Sequence, residues 1–315
     1  MVDTIEMKRA TIVIPTLNCS EVLRHCLNCV LSQDRSQELS IMVVDGGSTD
    51  DTLDVAMKAG AEIFVNPGQY GTGHNGARHF GELRAQTPYL WYLDSDNFLV
   101  ERNVAGQLLD ALDSNPSVNL AVPITLPSPE HSSFNNWLSL REKIRLMEEI
   151  SRGDKVGGLT LVDDLSYGIT NGTMVRTDVA LSCGGYDSDV RLLLRLRRRH
   201  MARAVILENA HIYHQQVESP IAFMQKLSRR IARIGGFSDR ELTGFFVEYP
   251  VPDSSHKRLT TEEALSVLTA PLEGLQQWAR TGDITWLWGV CYPFLFGLPT
   301  ILHPFKAKRI YSRFL

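Results

Sequence analysis

Asp94-Ser95-Asp96 directly follows an apolar run at residues 89–93. In extended or turn geometry residues i and i+2 point the same way, so both carboxylates can face one site. Two hard oxygen ligands, with room left for water and phosphate oxygens, suit Mg2+ or Mn2+ bound together with a nucleotide diphosphate. Helix caps and turns use the same residue types. Asp45 ends a second apolar run and opens Gly46-Gly47-Ser48-Thr49-Asp50. The glycine pair lets a flat ligand approach the backbone. Asp45 can then accept a base N–H, or the segment is only a turn and cap. Arg78 lies on a helical stretch before the Asp94 strand, as a solvated helix charge or as a partner for phosphates. Asp187 and Asp189 follow Gly184-Gly185-Tyr186 and add two more carboxylates.

The elements that must position these residues are legible in the hydrophobic pattern. Apolar runs at 11–15, 41–45, 61–65, 89–93 and 118–123 read as strands. Helical spacing marks 20–33, a short helix after residue 50, 74–85 and 101–113. Repeated βα units with continuous apolar strands predict a mainly parallel sheet covered on both faces. Ligands bind such sheets at the carboxyl ends of the strands, where Asp45 and Asp94 stand. Beyond Pro123 the pattern changes. Residues 134–150 and 192–200 look helical, Gly157-Gly158 breaks the chain, and 168–175 reads as a glycine-containing strand. Residues 204–207 and 211–214 read as a final strand region.

Composition bounds the function. With 315 residues, 43% hydrophobic and 22% charged, the chain suits a soluble globular enzyme of one large or two smaller domains. Disordered, collagenous, disulfide-stapled and polytopic membrane classes are excluded. A net charge of −4 gives no case for non-specific nucleic-acid binding. The charge is uneven, however: 14 basic and 26 acidic residues in 1–189, 11 and 3 in 190–240, 7 and 7 in 241–315. Cys19, Cys26 and Cys29 lie in an apolar helical pattern without a second ligand pair, so the cysteines read as reduced core thiols. The polar start at residues 1–9 carries no apolar leader, and a cytoplasmic protein is expected.

Together these pieces resemble glycosyltransferase family 2, with the GT-A fold. The resemblance runs through Ile12-Val-Ile-Pro15-Thr16-Leu-Asn18, Val43-Val-Asp45-Gly-Gly47-Ser-Thr-Asp50, Gly76-Ala-Arg78, Leu93-Asp94-Ser95-Asp96, Asn171-Gly-Thr-Met174 and Gly184-Gly-Tyr-Asp187. It covers about residues 10–215, the expected catalytic domain: an α/β, mainly parallel Rossmann-like sheet flanked by helices. Residues 216–315 are then a C-terminal helical, membrane-associating extension. The resemblance implies that Pro15, Thr16, Asn18, Asp45, Gly47, Arg78, Asp94 and Ser95 bind the nucleotide sugar. It puts Asp94 near the ribose and Asp96 on a metal at the diphosphate, with Asp94 and His214 as further metal ligands. His214 is otherwise a structural histidine on an apolar strand. The pattern departs from the family after Gly184-Gly-Tyr-Asp187, where the loop runs straight into a helix. Counting back from Arg195-Leu196 puts Asp189 on the catalytic-base position, with Asp187 the second candidate. Asp189 can equally be a helix N-cap, and an ionised phosphate acceptor needs no base.

The C-terminal hundred residues carry two further signals. In an amphipathic helix over 221–234, Lys226, Arg229, Arg230 and Arg233 share one face and Ile221, Met224, Leu227, Ile231 and Ile234 the other. Residues 284–302 hold no charge, are interrupted by Gly289, Pro293, Gly297 and Pro299, and lead into Lys306, Lys308, Arg309 and Arg313. An apolar patch plus a polybasic tail predicts peripheral attachment to an anionic membrane surface, ahead of a buried hairpin or a true span. The expected enzyme is a metal-dependent, inverting transferase working at the cytoplasmic membrane face. Its donor is a nucleotide-diphosphate sugar and its acceptor a lipid, lipid-linked sugar or glycan. The alternatives are a non-catalytic scaffold of the same fold, or an NAD(P)-dependent oxidoreductase through Gly71-Thr-Gly73-His-Asn-Gly76. That second fingerprint needs its first glycine directly after a strand.

Overall fold

The computed structural model describes residues 7–71, 73–166, 172–187, 189–226, 270–292 and 295. Strands and helices alternate at first: β1 (Ala10–Thr16), α1 (Ser20–Leu31), β2 (Leu39–Asp45), α2 (Thr52–Lys58), β3 (Glu62–Val65), α3 (His74–Glu82) and β4 (Tyr89–Tyr92). Then follow β5 (Asn97–Leu99), α4 (Val104–Ser114), β6 (Leu120–Leu126), α5 (Ser133–Arg152), β7 (Asp154–Val156) and β8 (Leu159–Val162). The series closes with β9 (Thr173–Arg176), α6 (Thr177–Ser182), α7 (Asp189–Arg198) and β10 (Ala204–His214).

The ten strands of the described residues form one sheet, ordered β3-β2-β1-β4-β9-β6-β10-β8-β7, with β5 paired to β10. β3, β2, β1 and β4 are parallel neighbours, as are β6 and β10. β9 runs antiparallel to both β4 and β6, and β10 runs antiparallel to β8 and β5. The sheet is therefore mixed, not mainly parallel as expected. Parallel pairing follows from βα crossovers, which the chain makes as far as β4. β9 instead enters between β4 and β6 from the opposite end, and an apolar run does not encode strand direction.

Period-2 alternation explains why β1 is buried throughout. Ile12 and Ile14 face one side with Leu23, Leu27 and Val30 of α1 and Leu108 and Leu112 of α4. Val13 faces the other with Phe80 of α3, Ile150 of α5 and Leu196 of α7. A strand covered on both faces needs no polar alternation. Each fully buried Leu or Ile contributes roughly 1.5–3 kcal/mol. The five cysteines are free thiols, and burial pushes the Cys26 thiol well above its ordinary range. Gly71 lies six residues past the end of β3, so the dinucleotide fingerprint lacks its strand.

The chain divides into two compact units, Met1–Ser128 with Ser139–Gln215, and Pro129–Leu138 with Gln216–Leu315. In the second, residues 220–226, 270–281 and 288–292 are helical. Phe134, Trp137, Phe223, Trp288 and Tyr292 form an aromatic cluster with ring centroids 4.9–6.0 Å apart. Trp286 is also buried. Gly274 and Gly289 pack closely: a Cβ on either would come within 3.2 Å of the other's Cα. Leu272, Leu275 and Trp278, and again Ile284, Leu287 and Val290, are exposed at three-residue spacing. Thus the described part of the uncharged stretch turns its aromatic rings inward and its aliphatic side chains outward. Among the described residues no helix is long and apolar enough to cross a membrane. Arg229, Arg230, Arg233 and the basic cluster from Lys306 lie outside the described residues.

Candidate active site

Register brings the loops together. Thr16 pairs with Asp45 and Val13 with Tyr92, all in parallel ladders, so the carboxyl ends of β1, β2 and β4 open along one sheet edge. β5 then folds back against β10 with Asn97 opposite His214, and the Gln215 N–H donates to the Asp96 carbonyl at 2.9 Å. That backbone stitch sets His214 Nε2 3.7 Å from Asp96 Oδ1, while His214 Nδ1 faces Glu142 Oε1 at 3.6 Å. Burial would lower the His214 pKa, but the negative charges of Asp96 and Glu142 outweigh it and raise it.

Asp45 is 1% exposed. Its Oδ1 accepts from Thr16 Oγ1 (3.0 Å) and Ser48 Oγ (2.5 Å), its Oδ2 from the N–H groups of Gly47 (2.8 Å) and Ser48 (2.7 Å). Burial pushes this carboxyl up, but those four donors outweigh it and hold it below the ordinary carboxylate range. Asn18 completes the frame: its Oδ1 accepts from Thr49 N–H at 2.8 Å, and its own N–H donates to Ser48 Oγ at 2.8 Å. Pro15 lies within the buried β1 ladder opposite Val44. A carboxylate offers about four acceptor positions, and Asp45 spends three on its own loop and one on Thr16 of β1. For Asp45 to accept a base N–H, one of these donors must yield.

Arg78 is not a solvated helix charge; it is 1% exposed. Its Nη2 pairs with Asp94 Oδ1, its Nη1 donates to the Tyr186 hydroxyl, and its guanidinium lies over the Tyr186 ring, 4.7 Å from the centroid. Burial would raise the Asp94 pKa, but the positive charge of Arg78, aided by His214 and His74, lowers it. The two aspartates of the motif thus differ: Asp94 meets a guanidinium and Asp96 meets an imidazole, with Ser95 half-buried between them. Asp94 N–H also donates to Asn97 Oδ1 at 3.0 Å. Among the described residues no three His, Cys, Asp or Glu side chains converge as a preformed metal cage.

Asp187 is ion-paired, through Oδ1 to Arg195 (2.9 Å) and through Oδ2 to Arg191 (3.3 Å). Asp189 is the first residue of α7; its side chain lies outside the described residues, as does Ser188. Part of the basic segment after residue 190 has carboxylate partners in the fold. Arg191 and Arg195 meet Asp187, Arg197 meets Asp164 at 2.8 Å, and Arg203 meets Asp163 at 3.0 Å. Sequence reasoning missed Glu82, Tyr186, Asn97 and Glu142. Glu82 carried a signal: it stands four residues after Arg78, a charge among the apolar positions of α3.

Residues 11–167, about half of the chain, match the family model of Glycosyl transferase family 2. An uncharacterized glycosyltransferase of Mycobacterium tuberculosis is 38% identical over 86 residues, 27% of this chain and 36% of that protein. The UDP-Glc:alpha-D-GlcNAc-diphosphoundecaprenol beta-1,3-glucosyltransferase WfaP of Escherichia coli is 30% identical over 103 residues, 32% and 41% of the two chains. The chain therefore matches well under half the length of these relatives. Among solved structures, the mannosyltransferase PcManGT of Pyrobaculum calidifontis, in complex with GDP-Man and Mn2+, shares the fold. Its TM-score is 0.55 at 14% identity, over 94% of this chain and 88% of that one. The glucosyl-3-phosphoglycerate synthase of M. tuberculosis, with Mn2+, UDP and glucosyl-3-phosphoglycerate, gives 0.50 at 16%, over 78% and 82%. By its motifs, its sheet and this match, the chain belongs to glycosyl transferase family 2.

Proposed function

We propose that the protein transfers a sugar, with inversion, from a nucleotide-diphosphate donor to a lipid, lipid-linked or glycan acceptor at the cytoplasmic face of a membrane. The observation that supports this most is the shared sheet edge. There the Asp45 loop, the Arg78–Asp94 pair and the Asp96–His214 pair end side by side.

Asp96 and His214 together offer one carboxylate oxygen and one imidazole nitrogen. Mn2+ or Mg2+ accepts such a set when phosphate oxygens and water complete the shell, so the residues fit the ion. When bound, the ion would offset the charge growing on the departing nucleotide. The remaining work falls to the chain. The Asp45–Ser48 loop presents its exposed glycines to the nucleoside, and Arg78 keeps Asp94 ionised beside it. A carboxylate at the start of α7, Asp189 or else Asp187, takes the acceptor proton. A general base of this kind contributes about 10²–10⁴-fold. Asp187 must first loosen from Arg195, which favours Asp189. A phosphate acceptor would bypass both. The name of the WfaP relative points to a lipid-linked acceptor, and the exposed apolar side chains between residues 272 and 290, with the basic tail, suit a membrane surface.

A thermal-shift and calorimetry panel of UDP-, GDP- and dTDP-sugars, with and without Mn2+, tests the reading. One donor should bind tightly and only with the metal. If none binds under either condition, the donor assignment is wrong.

A further inference from the structure

Glu82 is fully buried on α3, a position where a leucine would carry no desolvation cost. Both its oxygens are engaged. Oε1 accepts from the Tyr186 backbone N–H at 2.5 Å and lies 2.6 Å from His79 Nδ1; Oε2 accepts from the Tyr92 hydroxyl at 2.9 Å. Burial pushes this carboxyl above its ordinary range, against the pull of its hydrogen bonds and of His79 and Arg195. The turn it grips is Gly184-Gly185-Tyr186-Asp187. Gly185 has φ +71°, and a Cβ there would overlap Glu82 Oε1. From the other side Arg195 donates to the Gly185 carbonyl and pairs with Asp187. The Tyr186 hydroxyl accepts from Arg78, which in turn pairs with Asp94.

One helix thus holds two parts of the site. Arg78 and Glu82 stand at i and i+4, on one face of α3. The first reaches the strand-end aspartate, the second the backbone of the turn that leads into α7. Tyr186 lies between them, its backbone N–H on Glu82 and its hydroxyl on Arg78. We propose that Glu82 is a positioning residue for transfer: it fixes the Gly184–Asp187 turn, and so sets where the carboxylates at the start of α7 stand relative to Asp94. This rests on the transferase reading. It predicts an effect on turnover more than on donor capture, since the polar partners of Glu82 are His79, Tyr92 and Tyr186 and not the Pro15–Asn18 or Asp45–Ser48 loops.

The test compares Glu82→Leu with Glu82→Gln in the full chain, using the donor that the panel identifies. Glutamine keeps an acceptor for the Tyr186 N–H and a donor for the Tyr92 oxygen, so E82Q should stay within threefold of wild-type kcat. E82L should lose at least tenfold in kcat with donor KM within threefold. Hydrogen exchange should rise at least tenfold in peptides covering 183–190 while β1, β2 and β4 stay protected. Should E82L fail to fold, Gly185→Ala presses the same contact from the turn side and carries the same expectation. Wild-type kcat and exchange in E82L, or in G185A, would overturn the role of Glu82. Equal losses in E82Q and E82L would overturn it too. A wild-type protein that neither binds nor turns over any donor would instead overturn the transferase reading, a result seen before any variant is made.

Discussion

Asp45 and Asp96 are both aspartates at strand ends, yet their surroundings give them different work. Four donors saturate Asp45, so its charge stabilises a loop; Asp96 faces the His214 imidazole and, in the proposed function, holds the cation. Asp45→Asn puts an amide N–H where Thr16, Ser48 or Gly47 now donates. Unsatisfied buried donors of that kind cost about 1–3 kcal/mol, read as a lower urea midpoint at pH 7. The pH dependence has a definite sign. A carboxyl held below its unfolded value of about 3.9 contributes stability above that pH and loses it as pH falls through the folded value. The gap between wild type and D45N should therefore narrow as pH drops from 5 toward 2. A gap that is constant over that range would mean the charge contributes nothing. Asp96→Ala should leave unfolding cooperative but abolish Mn2+-dependent donor binding in calorimetry; unchanged affinity would remove Asp96 from the metal. Asp189→Asn should keep donor binding and lose at least a hundredfold in transfer to a hydroxyl. Activity within a few-fold of wild type would pass the role to Asp187 or to a phosphate acceptor.

At the scale of elements, α3 matters to the site because Arg78 meets Asp94 while Glu82, beside His79, holds the Gly184–Asp187 turn. Its height over the sheet is set by Gly81, where a Cβ would approach Val13 Cγ1 at 2.5 Å and Met42 Sδ at 3.3 Å. Gly81→Ala must push α3 outward, and overpacking of this kind costs about 1–3 kcal/mol. Urea unfolding should show that loss, and donor affinity should fall with it as Arg78 is displaced. A stable, fully binding G81A would mean the helix can shift without harm. What the sequence revealed follows the same physics. α1, α4 and α5 were legible because each carries an apolar face at helical period over eleven residues or more. β5, β7 and α6 were not, being three to six residues long with too few positions to show any period. The direction of β9 was hidden because register is a tertiary property. The six motifs were legible one by one, and the resemblance already divided the roles of Asp94 and Asp96, but the partner that each meets was not legible. That depends on Arg78 and His214, which reach the aspartates from α3 and β10.

For the molecule as a whole, the remaining proposal is attachment to an anionic membrane surface, and the structure changes how it should be tested. Arg191, Arg195, Arg197 and Arg203 already meet carboxylates of the fold, so these four charges are not available to lipid headgroups. Attraction must come from residues beyond them: Lys226, Arg229, Arg230 and Arg233, and Lys306, Lys308, Arg309 and Arg313. Each such charge near an anionic leaflet contributes about 1 kcal/mol and is weakened by salt. The exposed Leu272, Leu275, Trp278, Ile284, Leu287 and Val290 would add insertion that salt does not remove. Deleting residues 284–315 is a poor probe, because Trp286, Trp288 and Tyr292 are packed inside the second unit. Substitutions on the outer face avoid that difficulty. Liposome flotation of the intact chain should increase with anionic lipid and fall only partly in high salt. Lys306→Glu with Lys308→Glu should weaken the salt-sensitive part, and Leu272→Glu with Leu287→Glu the salt-resistant part. Both double variants should keep wild-type donor binding, since the donor residues all lie in the first unit. An intact protein that stays off anionic vesicles at low salt would end the membrane reading and leave the exposed aliphatic positions to some other contact.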